Sequence, residues 1–233
     1  MKRTLSVFIV FLSFAAFGQY NHVDSKGLKQ GEWKKTYDNG KLRYTGTFKN
    51  DIPVGTFVYY FEREGGKMSE ITYRGTSGIG YAKAYHTTGL IQAEGLYNKQ
   101  LKDSTWTYYS RKGLLTQREE YRVGVLHGSR VTYWENGKVA EIVDFENGEE
   151  NGRWIRKWDD GKLRTKGTYE NGDLEGECIY YDESGKMIAK GNYHHSKKHG
   201  KWFYFEDNKV IRKEEYRYGD LESETTYDDE QNE

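Results

Sequence analysis

One cysteine, one proline and three methionines are spread over 233 residues, and 36 basic side chains stand against 36 acidic ones. The lone Cys178 closes no intramolecular disulfide, so stability has to come from elsewhere. Balanced charge leaves no basic footprint for nucleic acid or an anionic membrane surface. Apolar residues make up 35% of the chain, which is thin for a globular core, and after residue 18 no run approaches the ~20 residues of a membrane span. What is abundant is aromatic: 21 Tyr, 10 Phe and 6 Trp, with 27 Gly. That composition points to a shallow, ring-rich architecture and away from a disordered chain.

The single apolar run lies at the start. Lys2 and Arg3, the stretch Leu5 to Phe14, and the small residues Ala16 and Gly18 read as an export segment, residues 1–18, cut near Gly18/Gln19. Without Lys2 and Arg3 the mature chain carries 34 basic and 36 acidic groups, net −2. The expected location is periplasmic or secreted.

From residue 28 the chain repeats. Gly31, Gly55, Gly80, Ser104, Gly128, Gly152, Gly176 and Gly200 follow at steps of 24 or 25, and an aromatic returns near +17 of each: Phe48, Tyr73, Tyr97, Tyr121, Phe145, Tyr169, Tyr193 and Tyr216. Asn39-Gly40, Asn136-Gly137 and Asp160-Gly161, at +8 and +9, suit the two positive-φ centres of a type I′ turn. In "KLRTKGTY" Leu163, Thr165, Gly167 and Tyr169 alternate with polar neighbours, the period of a strand. A two-residue loop at 160 and 161 would set Trp154 opposite Gly167 and Gly152 opposite Tyr169; likewise Trp33 opposite Gly46 and Gly31 opposite Phe48. Rings laid over cross-strand glycines would explain why those positions recur. The apolar +11 residues, among them Leu42, Ile91, Leu115, Val139, Leu163, Met187 and Ile211, form a stripe expected on that same face. The extra residue in "EREGG" fits a three-residue loop with Gly65 left-handed, and Pro53 falls between units.

The predicted fold is all-β: an elongated single-layer antiparallel meander of eight 24-residue hairpins, about 16 strands and ~75 Å long at ~4.8 Å per strand. Its parts are the export segment 1–18, a leader 19–27, repeats 28–220 and an acidic tail 221–233. "YENGDLEGECIYYDESGKM" (169–187), "FENGEENGRWIRKWDDGKL" (145–163) and "HHSKKHGKWFYF" (194–205) resemble the MORN repeat, in the variant found in tandem in bacterial YwqK-type proteins. "SGIGYAKAYHTTG" (78–90) departs from the pattern by lacking tryptophan, which predicts a distorted unit. The resemblance implies an array for binding and scaffolding, with no catalytic residues to carry over. Some relatives look like antitoxin partners of cytosolic toxins, a role an export segment does not suit.

Candidate chemistry is sparse. His194, His195 and His199 are spaced for a metal but sit in a link, and they read as a solvated loop; no metal and no cofactor are assigned. Cys178 reads as a small core residue, and the carboxylates lie mostly in turns, so no enzyme is expected. The positive cue is aromatic. Trp33, Tyr60, Tyr85, Trp106, Tyr109, Tyr133, Trp154, Trp158, Tyr181 and Trp202 form the candidate contact surface, for another protein first and for a glycan or choline-like ligand as the alternative.

Overall fold

The structure is a computed structural model that describes residues 20–227, and the expected export segment lies outside them. Every regular element is a strand: β1 (His22–Val23), β2 (Lys29–Thr36), β3 (Leu42–Lys49), β4 (Ile52–Tyr60), β5 (Lys67–Tyr73) and β6 (Ile79–Tyr85). These are followed by β7 (Ile91–Asn98), β8 (Leu101–Tyr109), β9 (Leu115–Arg122), β10 (Val125–Tyr133), β11 (Val139–Glu146) and β12 (Glu149–Lys157). The chain closes with β13 (Leu163–Glu170), β14 (Asp173–Tyr181), β15 (Met187–His194), β16 (Lys197–Glu206), β17 (Lys209–Arg217) and β18 (Asp220–Thr226). Each pairs antiparallel with the one before and the one after, so the sheet is a meander of eight hairpins, β2–β3 through β16–β17. The count is 18 strands against the 16 expected, because the leader supplies β1 and the start of the presumed tail pairs with β17 as β18. No helix of the described residues is long and apolar enough to cross a membrane.

The register within hairpins is the one the glycine pattern requires: Trp154 opposite Gly167, Gly152 opposite Tyr169, Trp33 opposite Gly46, Gly31 opposite Phe48. The turns are exchanged relative to expectation. At the tips, the Trp158 carbonyl accepts from Gly161 N–H while Trp158 N–H donates to Lys162 O, and of the two central residues only Gly161 has positive φ (95°). Asp160 instead accepts the Lys162 N–H on its carboxylate, 2.8 Å, as Asn39 and Asn136 do for Lys41 and Lys138. This is a three-residue loop with a left-handed glycine. The "EREGG" loop is one residue longer again, with Gly65 left-handed as expected. The two-residue turns with both centres at positive φ are the links between hairpins, such as Asn50-Asp51, Asn147-Gly148 and Asn171-Gly172, and the tip of the eighth hairpin, Asp207-Asn208.

Between hairpins the ladder skips. Lys166 pairs with Ile179 and Thr168 with Glu175, so β14 carries two extra residues opposite Gly167. The same bulge recurs at Gly46, Gly95 and Gly191. It explains the glycine at position 0: Gly31, Gly55, Gly128, Gly152, Gly176 and Gly200 all have positive φ, which a bulged strand demands and a side chain resists. Ser104 takes the same conformation at φ 58° without being glycine.

The bulge also changes which ring covers which glycine. The +2 side chain of the following hairpin drops into the gap: Phe57 onto Gly46, Trp106 onto Gly95, Cys178 onto Gly167, Trp202 onto Gly191. Trp154 touches Gly167 as expected, but as the second neighbour. The position-0 glycines Gly31, Gly55, Gly176 and Gly200 have no ring over them at all. Trp106 and Trp202 are buried and donate their indole N–H to Leu96 O (2.9 Å) and Asn192 O (3.0 Å), so the inserted ring is bonded as well as packed. The 78–90 unit is distorted as predicted. Gly80 is extended, β5 and β6 pair without a bulge, and Ala82 stands where the ring would be.

Candidate functional site

The two faces of the sheet do different work. On the first face the buried rings form clusters, and in two of them a lysine stands among three rings. Lys102 Nζ lies 4.9, 5.1 and 5.0 Å from the ring centres of Trp106, Tyr108 and Tyr121 and donates to the Tyr108 hydroxyl at 2.6 Å. Ninety-six residues on, Lys198 sits 4.5, 5.4 and 4.7 Å from Trp202, Tyr204 and Tyr216 and donates to Tyr204 at 2.7 Å. Tyr204 and Tyr216 both donate to the buried Glu214, at 2.5 and 2.8 Å. Burial raises the Tyr121 hydroxyl to about 12, with the Glu119 carboxylate adding to it, and burial pulls the Lys198 ammonium down. Burial works against the charge of Glu214, yet the tyrosine hydroxyls with Arg212 and Lys198 hold it below the usual carboxylate range.

On the second face the +5 tyrosines line up, and a register shift at +12 brings the +11 residue opposite each: Tyr85 with Ile91, Tyr109 with Leu115, Tyr133 with Val139, Tyr181 with Met187. The apolar +11 stripe is therefore on the second face, not with Thr165, Gly167 and Tyr169 as alternation alone implied. Three of these tyrosines are steadied by the preceding hairpin. Tyr85 donates to Glu70 at 2.7 Å, Tyr109 to Glu94 at 2.8 Å, and Tyr133 takes the Arg118 guanidinium over its ring at 5.9 Å. Burial, with the Glu70 carboxylate, pushes Tyr85 up to about 12, so its hydroxyl stays protonated as a donor to Glu70.

The ten expected contact residues thus separate. Trp106 and Trp202 are 3% and 2% exposed and belong to the core, which removes them from any contact surface. Trp33 and Trp154 are half-buried on the first face, and Trp154 donates to Glu141 at 3.1 Å. Tyr60, Tyr85, Tyr109, Tyr133 and Tyr181 are half-buried on the second face. Trp158 is at a hairpin tip, bonded to Asp182 O of the next tip at 3.0 Å. Such bonds recur from tip to tip: Tyr37 to Tyr60 O, Asn39 to Glu62 O, His86 to Tyr109 O, Trp134 to Lys157 O, Asn136 to Asp159 O.

Cys178 is fully buried and burial raises its thiol to about 11, so it is a core residue with little thiolate. Where Ala82 replaces the ring, two apolar hollows of about 360 and 330 Å³ share Ile71 and Tyr97 as walls. The histidines divide: His199 accepts from Tyr218 N–H, whereas His194 and His195 both turn to Glu175, a residue no local motif pointed to.

No curated protein matches this chain. Among solved structures, one titled "Crystal Structure of TcdB2-TccC3-Cdc42" matches at 10% identity over 88% of this chain and 16% of that one, with a TM-score of 0.19, a likeness too low to carry any argument. The family model described as "MORN repeat variant" matches residues 29–50, 126–147, 150–171 and 174–195. These four segments are the first, fifth, sixth and seventh hairpins, and the others repeat their antiparallel pairing. The chain thus carries MORN repeats of the variant type in four of its eight hairpins.

Proposed function

We propose that this chain is an exported, non-enzymatic repeat protein whose second face holds another protein. MORN-variant repeats suggest a molecule that mediates binding, and the observation that carries the finer reading is the second-face row Tyr60, Tyr85, Tyr109, Tyr133 and Tyr181. Its rings have polar tips; Tyr85, Tyr109 and Tyr133 are held by the preceding hairpin, and Tyr85, Tyr109, Tyr133 and Tyr181 stand opposite apolar partners. Fixed aromatics with little rotamer freedom to lose are the side chains from which protein contacts draw most energy. Exposed Leu101, Val123 and Val125 extend apolar surface along the link margin. The choline alternative is weakened by the two aromatic cages, whose cation is the chain's own Lys102 or Lys198. The non-enzymatic reading rests on the polar groups being committed to neighbouring hairpins, and the export reading on residues 1–18 of the sequence.

The test compares the mature chain with the triple variant Tyr85→Ser, Tyr109→Ser, Tyr133→Ser, using an envelope extract and isolated cell-wall polysaccharide as baits. One protein retained by the parent and lost by the folded triple variant, with no polysaccharide retained, is the expected result. Polysaccharide binding, or a partner indifferent to the three tyrosines, would overturn it. Intact mass of the protein from its producing cell should begin at Gln19; a chain still carrying residues 1–18 would overturn the export reading.

A further inference from the structure

The link between β15 and β16 gathers four metal-competent side chains from two separate strands. Asp173 and Glu175 are alternate residues of β14 and point to one side of it. His194 ends β15, and His195 opens the two-residue link. In an extended strand two successive histidines would point to opposite faces. His195 has φ 48°, and this left-handed step turns its ring back so that the two imidazole centres lie 4.4 Å apart.

We infer that Glu175, His194 and His195, with Asp173 as fourth donor, form a binding site for a zinc-class divalent transition ion. The ligand atoms of Glu175, His194 and His195 all lie within 4.8 Å of one another. His194 Nδ1 is 3.2 Å from Glu175 Oε2, His195 Nδ1 is 3.6 Å from Glu175 Oε1, and His195 Nδ1 is 3.2 Å from Asp173 Oδ2. Ligands held ~2.0–2.1 Å from a tetrahedral ion are separated by about 3.4 Å, so these three separations are close to the edges of that polyhedron, Asp173 approaching through His195. Two imidazoles and two carboxylates are an ordinary donor set for zinc.

The carboxylates are oriented from behind, as ligands in metal sites usually are. Glu175 Oε1 accepts the backbone N–H of His195 at 2.7 Å, and Asp173 Oδ1 accepts the Ser196 hydroxyl at 2.8 Å. Those same bonds, the backbone one first for Glu175 and the hydroxyl first for Asp173, hold both acids below their usual range, so they are ionised at neutral pH. His199 is not part of the set. Its Nδ1 faces Tyr218 N–H, and its ring packs on Tyr218 at 4.8 Å, leaving it as a wall beside His194. No local motif joins the histidines to these acids; the sheet supplies them from 19 to 22 residues upstream.

Zn²⁺ titration of the full mature chain tests the inference, with Co²⁺ as a spectroscopic probe of geometry. One ion per chain should bind at micromolar affinity or better, raise the melting temperature, and give the intense visible bands of four-coordinate cobalt. His195→Asn, which keeps a residue suited to positive φ in the link as Asn147 and Asn171 do, and Glu175→Gln should each weaken binding at least tenfold. His199→Ala should leave affinity unchanged. Absence of saturable uptake, uptake indifferent to Glu175 and His195, or a loss in His199→Ala equal to that in His195→Asn would overturn the site.

Discussion

Trp106 inserted over Gly95 is the contact by which one hairpin grips the next, and its removal tests that account quantitatively. A methyl group at Gly95 would sit 2.5 Å from the indole carbons. Gly95→Ala therefore forces the ring outward, a strain of about 1–3 kcal/mol. Trp106→Ala vacates a site only 3% exposed, breaks the indole bond to Leu96 O and leaves Lys102 without its widest ring. Buried Trp→Ala changes cost about 3–5 kcal/mol. Independent effects would add to about 4–8 kcal/mol, but in the double variant the alanine methyl enters the space the ring left. The expected double cost is near that of Trp106→Ala alone, a coupling of about 1–3 kcal/mol. Urea unfolding of the four proteins, followed by far-UV circular dichroism, reads it. Additivity within ~0.5 kcal/mol, or a Trp106→Ala cost under about 1 kcal/mol, would refute the insertion. As an internal comparison, Gly167→Ala should couple to Cys178→Ala more strongly than to Trp154→Ala, since Sγ of Cys178 is the nearest atom to Gly167.

Val123 is β-branched at φ 49° in a link whose counterparts are Asn50, Asn147 and Asn171, so Val123→Asn should stabilise by about 1 kcal/mol, and an unchanged or lowered urea midpoint would contradict the assigned strain. Ser104→Gly should stabilise similarly, because the five other inter-hairpin bulges hold glycine at positive φ, and the same melts check it. The folded-state pKa values of Glu214, Glu70 and Asp144 are depressed, so their contribution is present above the unfolded carboxylate range near pH 4 and is lost as pH falls through the lower folded values. Urea midpoints should accordingly drop between pH 5 and pH 2, and Glu214→Gln should flatten part of that limb; a midpoint constant over this window would contradict the assignment.

The hairpin register was legible because two independent glycine–aromatic pairs demanded one pairing, and the structure has that pairing at both Trp33 and Trp154. The inter-hairpin bulge was not, because period-two alternation assumes an unbroken ladder and carries no mark of two extra residues on β14 or β8. That omission explains two misreadings: the glycine at position 0 is explained by φ rather than by ring cover, and Trp106 and Trp202 lie in the core rather than on the surface; the face of +11 has a separate cause, the register shift at +12 inside each hairpin. The exchanged turns have a local cause. Asp160 and Asn39 cap the following N–H with their own side chains, which favours the longer tip loop. Glu175 was missed as a partner of His194 because only the meander brings the two together.

The bonds from tip to tip have a mechanical consequence. A side chain that reaches the next tip spans a hairpin's width, about 10 Å, and ties the margin of the sheet like stitching. Every successive pair of tips is stitched except one. Between the second hairpin, with Phe61 at its tip, and the third, with His86, no tip side chain is bonded across among the described residues, and the same seam lacks the bulge and the inserted ring. Compliance is therefore concentrated there. Under load the molecule behaves as a short arm, β1 to β5, and a long arm, β6 to β18, and a force applied far along the long arm acts with the greatest leverage on the β5–β6 ladder.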